Sequence, residues 1–182
     1  MNNLANILTV MRLVMLPFMV LLFYIPFEWA AWTCLVLYII GATTDWLDGW
    51  VARKYHQISE FGTFLDPISD KIFVVTILLM LVATGRIEHI WVLNVVVILV
   101  REFLVSGLRE YLGPRNIKLP VSKLAKWKTA VQMLATGLLI VGPFIWGGQM
   151  LGQLLLTGAS VLTVVTGWAY LKTGLEHMKK MP

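Results

Sequence analysis

Four aspartates, Asp45, Asp48, Asp66 and Asp70, fall within one stretch of the chain. It reads D-W-L-D-G-W-V-A-R, then eight residues, then G-T-F-L-D-P-I-S-D. Apolar runs long enough to cross a bilayer flank it on both sides. Carboxylates at the ends of membrane spans are costly unless cations compensate them, so their default reading is functional. On helices, Asp45 and Asp48 lie ~60° apart around the axis, and Asp66 and Asp70 ~40°. Each pair therefore shares one side of its helix. Facing pairs with no cation between them would repel each other. Two hard divalent ions would relieve this, and all-oxygen ligands suit Mg²⁺ or Mn²⁺. Such ions keep positions open for phosphate oxygens, so the four aspartates are expected to hold two metals and the metals a pyrophosphate. A carboxylate at the edge of the cluster could take a proton from an attacking alcohol. Gly49 and Ala52 continue the Asp45 stripe and would let a neighbouring helix or a ligand approach the backbone. Two plainer readings compete. Asp66-Pro67 has the form of a helix N-cap followed by proline, which would explain Asp66 alone. An ion-pair network with Arg53 and Lys71 would set two cations against four anions.

The elements that must hold these side chains are membrane helices. The 182 residues are 58% hydrophobic and 14% charged, with a mean hydropathy of +0.77. Soluble domains are nearer half apolar and a quarter charged. The pattern predicts an all-α integral membrane protein, one domain over 1–182, with six transmembrane helices. The spans run roughly Leu8–Pro26, Trp29–Ala52, Asp66–Thr84, Ile90–Tyr111, Ala125–Val141 and Met150–Leu171, each near the ~20 residues that cross the hydrocarbon. Asn3 to Met11 has the spacing of a short interfacial helix leading into the first span. Arg12 would then snorkel to the interface. Lysines and arginines fall almost entirely on one side of this topology, with Arg86 alone opposite. Both termini and the aspartate stretch are therefore expected on the cytoplasmic side. The formal charge of +5 is accounted for by these basic loops and implies no nucleic acid. Trp29, Trp32, Trp91 and Trp146 at the outer ends, with Trp46, Trp50, Trp127 and Trp168 at the inner, form a two-sided aromatic belt. The single cysteine, Cys34, lies in an apolar run and reads as a buried, inert thiol. M-N-N-L-A-N lacks the basic n-region of a cleavable signal, so the first apolar segment is expected to stay in the mature protein.

The spacing D-x2-D-G-x2-A-R-x8-G-x3-D-x3-D, complete here as Asp45, Asp48, Gly49, Ala52, Arg53, Gly62, Asp66 and Asp70, resembles the signature of the CDP-alcohol phosphatidyltransferases. The segments Asn3–Arg12, Arg101–Arg109 and Ser122–Thr129 look like the bacterial phosphatidylglycerophosphate synthase branch of that family. The resemblance implies transfer of a phosphatidyl group from CDP-diacylglycerol to glycerol 3-phosphate at the cytoplasmic face of the inner membrane. It also implies two metals on the four aspartates, Asp70 as general base, and Gly49, Ala52 and Gly62 close to the cytidine nucleotide. Arg53 would contact the nucleotide phosphates, and a homodimer is a common assembly in such families. Phosphatidylglycerol as acceptor, a cardiolipin synthase, is the alternative within the family.

A glycerol 3-phosphate acceptor needs its own cationic pocket beside so many carboxylates, and arginine forks suit phosphate. Candidates are Arg101 and Arg109 on span four, with Lys123, Lys126 and Lys128 entering span five. Arg101 lies well inside its span, where neighbouring Glu102 could simply neutralise it. Thr9 and Arg12 are possible support from the N-terminal segment. His56, His89 and His177 read as solvated. No zinc-ligand spacing or nucleophilic serine or cysteine motif is present, so direct displacement is expected. A divalent-cation transporter is the alternative from another class. Against it, the aspartates lie toward one face, and no acidic ladder continues across the spans.

Overall fold

The computed structural model describes residues 4–55, 60–113 and 123–179, without the side chains of 4, 5, 45–55, 60, 61, 63, 123 and 179. The six expected spans correspond to six α-helices: α1 (Leu4–Phe23), α2 (Glu28–Tyr55), α3 (Glu60–Ala83), α4 (Val92–Leu112), α5 (Lys123–Val141) and α6 (Gly148–Lys179). Short 3-10 turns at His89–Trp91 and Gly142–Phe144 precede α4 and follow α5. Among the described residues, Asn6–Phe23, His89–Leu112 and Gly148–Met178 are long and apolar enough to cross a membrane. Their outward faces are greasy: Val14, Phe18 and Leu21 on α1, Val96, Val100 and Leu104 on α4, and Val161, Val164 and Trp168 on α6 are all exposed. Such surface has no place in water and suits lipid tails. The chain is a multi-pass membrane protein.

Two boundaries differ from the sequence reading. The N-terminal segment is not a separate interfacial helix but the first turns of α1. No glycine or proline interrupts Leu4–Arg12, and Asn6, Thr9 and Arg12 are buried in a stripe three residues apart. That stripe packs against protein, so Arg12, 1% exposed, does not snorkel. Helix α3 begins at Glu60, six residues before Asp66. Asp66 is therefore inside the helix and is not its N-cap. Pro67 removes one helical N–H at that point, and the buried Ser69 hydroxyl donates to the Asp66 carbonyl at 3.1 Å.

The described chain divides into two compact units. The first comprises Met1–Arg86 and Gly137–Gln149, with α1 packed on both α2 and α3. Gly41 of α2 lies against Phe73 of α3 so closely that an added Cβ would stand 2.6 Å from Phe73 Cζ. Phe73 stacks on Tyr38, ring centroids 5.8 Å apart and 12° from parallel. This contact sets a register. Asp45 and Asp48 follow Gly41 by four and seven residues, ~6 and ~10.5 Å along α2. Asp70 and Asp66 precede Phe73 by three and seven, ~4.5 and ~10.5 Å along α3. The two backbones thus carry their aspartate positions at matched distances from one fixed point. At the opposite end of α3, Gly85 takes a left-handed φ of 69°. Its N–H bonds the Val82 carbonyl and that of Arg86 the Leu81 carbonyl, the Schellman arrangement that ends a helix on glycine. The turn delivers Arg86 to the Ile140 carbonyl of α5 and lays its guanidinium 4.9 Å over the Phe23 ring. Gln149 donates to the Arg86 carbonyl. Burial lowers the Arg86 pKa from its ordinary value.

The second unit comprises Ile87–Thr136 and Met150–Pro182. Here Asn94 of α4 donates to Thr157 Oγ1 at 2.9 Å and accepts from Ser160 Oγ at 2.8 Å, joining α4 to α6 through a closed polar set. Side-chain hydrogen bonds between apolar helices are worth ~0.6–2 kcal/mol each. Small residues bring these helices close, since an added Cβ at Gly174 would stand 2.6 Å from Leu108 Cδ2.

The Gly41 contact makes a test. Gly41→Val should lower the stability of the detergent-solubilised protein by ~1–3 kcal/mol, the usual cost of overpacking. Adding Phe73→Leu should recover more than half of that loss in thermal unfolding. Equal stability of Gly41→Val and wild type would show that the helices do not depend on this approach.

Candidate active site

The carboxylate pair of α3 is met by α1. Thr9 and Arg12, one turn apart on α1, face Asp66 and Asp70, one turn apart on α3. Thr9 Oγ1 donates to Asp66 Oδ1 at 2.7 Å, and Arg12 Nη1 lies 3.9 Å from Asp70 Oδ1. The donors are buried, Thr9 at 0% and Arg12 at 1%, whereas both carboxylates are on an open face, Asp70 at 57%. Buried groups therefore hold the acids from behind while their remaining oxygens stay accessible. Arg12 offsets part of the negative charge of the pair but not all of it.

Of the other expected site residues in this unit, Gly62 is buried in the first turn of α3. Asp45, Asp48, Gly49, Ala52 and Arg53 lie on α2, with their side chains outside the described residues. Among the described residues no three of His, Cys, Asp and Glu gather into one cluster. The donor chemistry of Asp66 and Asp70 nonetheless fits a hard divalent cation: carboxylate oxygens, four residues apart on one helix, on an open face. Thr9 engages Oδ1 of Asp66 and orients that carboxylate in the manner of an outer-shell partner.

The expected acceptor residues meet in the other unit. Arg101 Nη1 lies 3.3 Å from Glu102 Oε1, and the Lys128 ammonium donates to that same oxygen. Lys128 is 3% exposed. The Arg101 and Arg109 guanidinium carbons lie 5.6 and 5.3 Å from the centre of the Tyr170 ring, and Arg109 Nη2 donates to the Tyr170 hydroxyl at 3.4 Å. Glu102 thus does neighbour Arg101, but it also holds Lys128, so one carboxylate answers more than one cation. Lys126 is exposed and stands outside these contacts, and the Lys123 side chain is outside the described residues. Glu102 and Tyr170 carried no motif that would have singled them out. The signal was positional: a carboxylate and a phenol within apolar runs, on helices that also bear arginines or face them.

Comparison with known proteins agrees with the signature. A family model described as CDP-alcohol phosphatidyltransferase matches residues 2–166. A protein of Rickettsia typhi (strain ATCC VR-144 / Wilmington) is 41% identical over 175 residues, covering 94% of this chain and 97% of its own. A protein of Cereibacter sphaeroides is 36% identical over 215 residues, covering 97% of each chain. One of Pseudomonas fluorescens is 37% identical over 186 residues, covering 97% of this chain and 92% of its own. All three relatives carry the name CDP-diacylglycerol–glycerol-3-phosphate 3-phosphatidyltransferase. With the motif at matched register on α2 and α3 and similarity over nearly its whole length, the chain belongs to the CDP-alcohol phosphatidyltransferase family.

Proposed function

We propose that the protein transfers the phosphatidyl group of CDP-diacylglycerol to glycerol 3-phosphate, giving phosphatidylglycerophosphate and CMP. The observation that carries this reading is the near-complete alignment with relatives of that name, 36–41% identical. The three cations around Glu102 and Tyr170 supply what a phosphate-bearing acceptor requires. The whole chain, 1–182, acts as one catalytic domain with six membrane crossings. Lysine and arginine placement supports termini and aspartates on the cytoplasmic side, and the family resemblance supports an inner-membrane location. The family resemblance implies a homodimer.

Two divalent ions, Mg²⁺ or Mn²⁺, held by Asp45, Asp48, Asp66 and Asp70, would polarise the pyrophosphate of the donor and stabilise its departing phosphate. Gly49, Ala52 and Gly62 leave room for the nucleotide beside the backbone, and Arg53 binds its phosphates. Arg101, Arg109 and Lys128, with Lys123 and Lys126 as further cations, bind the acceptor phosphate and thereby fix the attacking hydroxyl. Asp70, with an open face in front and Arg12 behind, takes the proton of that hydroxyl. Thr9 holds Asp66 in one orientation. The hydroxyl oxygen bonds to the phosphatidyl phosphorus as the bond to CMP breaks.

The purified protein in lipid–detergent micelles with Mg²⁺ or Mn²⁺ should release CMP from CDP-diacylglycerol only when glycerol 3-phosphate is added. Release with phosphatidylglycerol in its place would make the protein a cardiolipin synthase. Asp70→Asn should lose turnover by ~10²–10⁴-fold, the usual contribution of a general base, while still binding donor. A turnover within tenfold of wild type would remove Asp70 from that role. Thr9→Val should raise the metal concentration for half-maximal activity by ~10-fold or more, as loss of an outer-shell partner does. An unchanged metal dependence would leave Thr9 a packing residue.

A further inference from the structure

The seat of Arg101 is built from α6, a helix that carries none of the residues assigned above to the reaction. Gly167 is where the arginine stem passes: an added Cβ there would stand 2.9 Å from Arg101 Cγ. Three residues on, Tyr170 is 5% exposed, and its ring lies under both guanidinium groups of α4. Arg101 and Arg109 are two turns apart on α4, and one ring serves both. A guanidinium within ~6 Å of a ring centre is attracted by the negative face of the aromatic system, and the attraction grows where water is excluded. The phenol oxygen adds a second hold on Arg109. Without this ring, two like charges on long flexible stems would separate, and their forks would have no fixed geometry to offer an oxyanion.

The contacts join three cations, Arg101, Arg109 and Lys128, to one carboxylate, Glu102. Two guanidinium forks and an ammonium gathered in one place suit a phosphomonoester, whose second ionisation is nearly complete at neutral pH. Arg101 Nε is buried and has no hydrogen-bond partner among the described residues, so the fork keeps a donor in hand. Tyr170 also packs against Val105 and Ala125. A residue with packing duty alone would affect both substrates equally when removed.

We propose that Tyr170, seated beside Gly167, is a positioning residue for the phosphate of the acceptor: it gathers Arg101 and Arg109 into one binding set. This rests on the reading that Arg101, Arg109 and Lys128 take that phosphate. The test measures steady-state kinetics for each substrate, together with inhibition by inorganic phosphate, on the full chain in lipid–detergent micelles. Tyr170→Leu is expected to raise KM for glycerol 3-phosphate by about tenfold and to weaken phosphate inhibition in parallel. KM for CDP-diacylglycerol and kcat should stay within about twofold. Tyr170→Phe, which keeps the ring, should recover most of the loss. If Tyr170→Leu does not accumulate in membranes, Gly167→Ala, which crowds the Arg101 stem, carries the test with the same expected pattern. Arg101→Ala separates the two levels of the argument. Should Arg101→Ala raise KM for glycerol 3-phosphate while Tyr170→Leu or Gly167→Ala leaves it within twofold, the role of Tyr170 is lost and the acceptor site stands. Should Arg101→Ala and Arg109→Ala both leave that KM unchanged, the acceptor site and the proposal fall together. A Tyr170→Leu enzyme weakened equally toward both substrates, with no rescue by phenylalanine, would mark a core residue and overturn the proposal.

Discussion

A guanidinium buried in an apolar helix has to be answered by an anion, and the pairing of Arg12 with Asp70 is the contact from which the first unit's chemistry is arranged. Arg12 is almost wholly enclosed while Asp70 is open, so the charge behind the acid is dry and the acid itself is wet. Coulomb attraction is strongest on the enclosed side. That asymmetry fixes where the carboxylate sits without closing off its oxygens. Thr9, one turn earlier, does the same for Asp66 with a neutral donor. The helix that supplies both bears no carboxylate of the motif. Its part is to aim those of α3.

The second unit meets the same constraint with the same signs. Lys128 is enclosed, Arg101 and Glu102 are half-buried, and both cations converge on one oxygen of Glu102. An ion set in low dielectric is stable only when its hydrogen bonds are largely satisfied. Here one carboxylate oxygen serves two cations, and a phenol ring lies against both arginines of α4. In both units glycines stand at close approaches between helices: Gly41 of α2 against Phe73 of α3, and Gly167 of α6 against Arg101 of α4.

Helix number, approximate spans and the aspartate register were legible in the sequence because they follow from periodicity and spacing. Asp66 and Asp70 had to share a side of one helix, whatever that helix packed against. The start of α3 was not legible. Asp66-Pro67 carries a strong local capping signal, yet the helix runs through it from Glu60, with α1 packed on α3. Arg12 carries two readings in the sequence, a charge near a span's end that snorkels to the interface and a support for the site. Its burial depends on the partner that α3 brings, and no single-helix pattern encodes a partner. For Arg101 the neighbouring Glu102 was visible as a neutraliser, but the competing claim of Lys128, 26 residues away, was not. Tyr170 is more distant still, and only the folded chain sets it between two arginines.

The glycine turn after α3 has a consequence for how the first unit comes apart. Arg86 holds the Ile140 carbonyl, covers the Phe23 ring and receives Gln149 on its own carbonyl, so segments far apart in sequence terminate on one residue. They cannot fray singly. This end of the unit therefore opens as one cooperative block, slow to exchange its amide protons. The aspartates of α3 and the Thr9–Arg12 turn of α1 that holds them lie at the other end of these helices, away from that root.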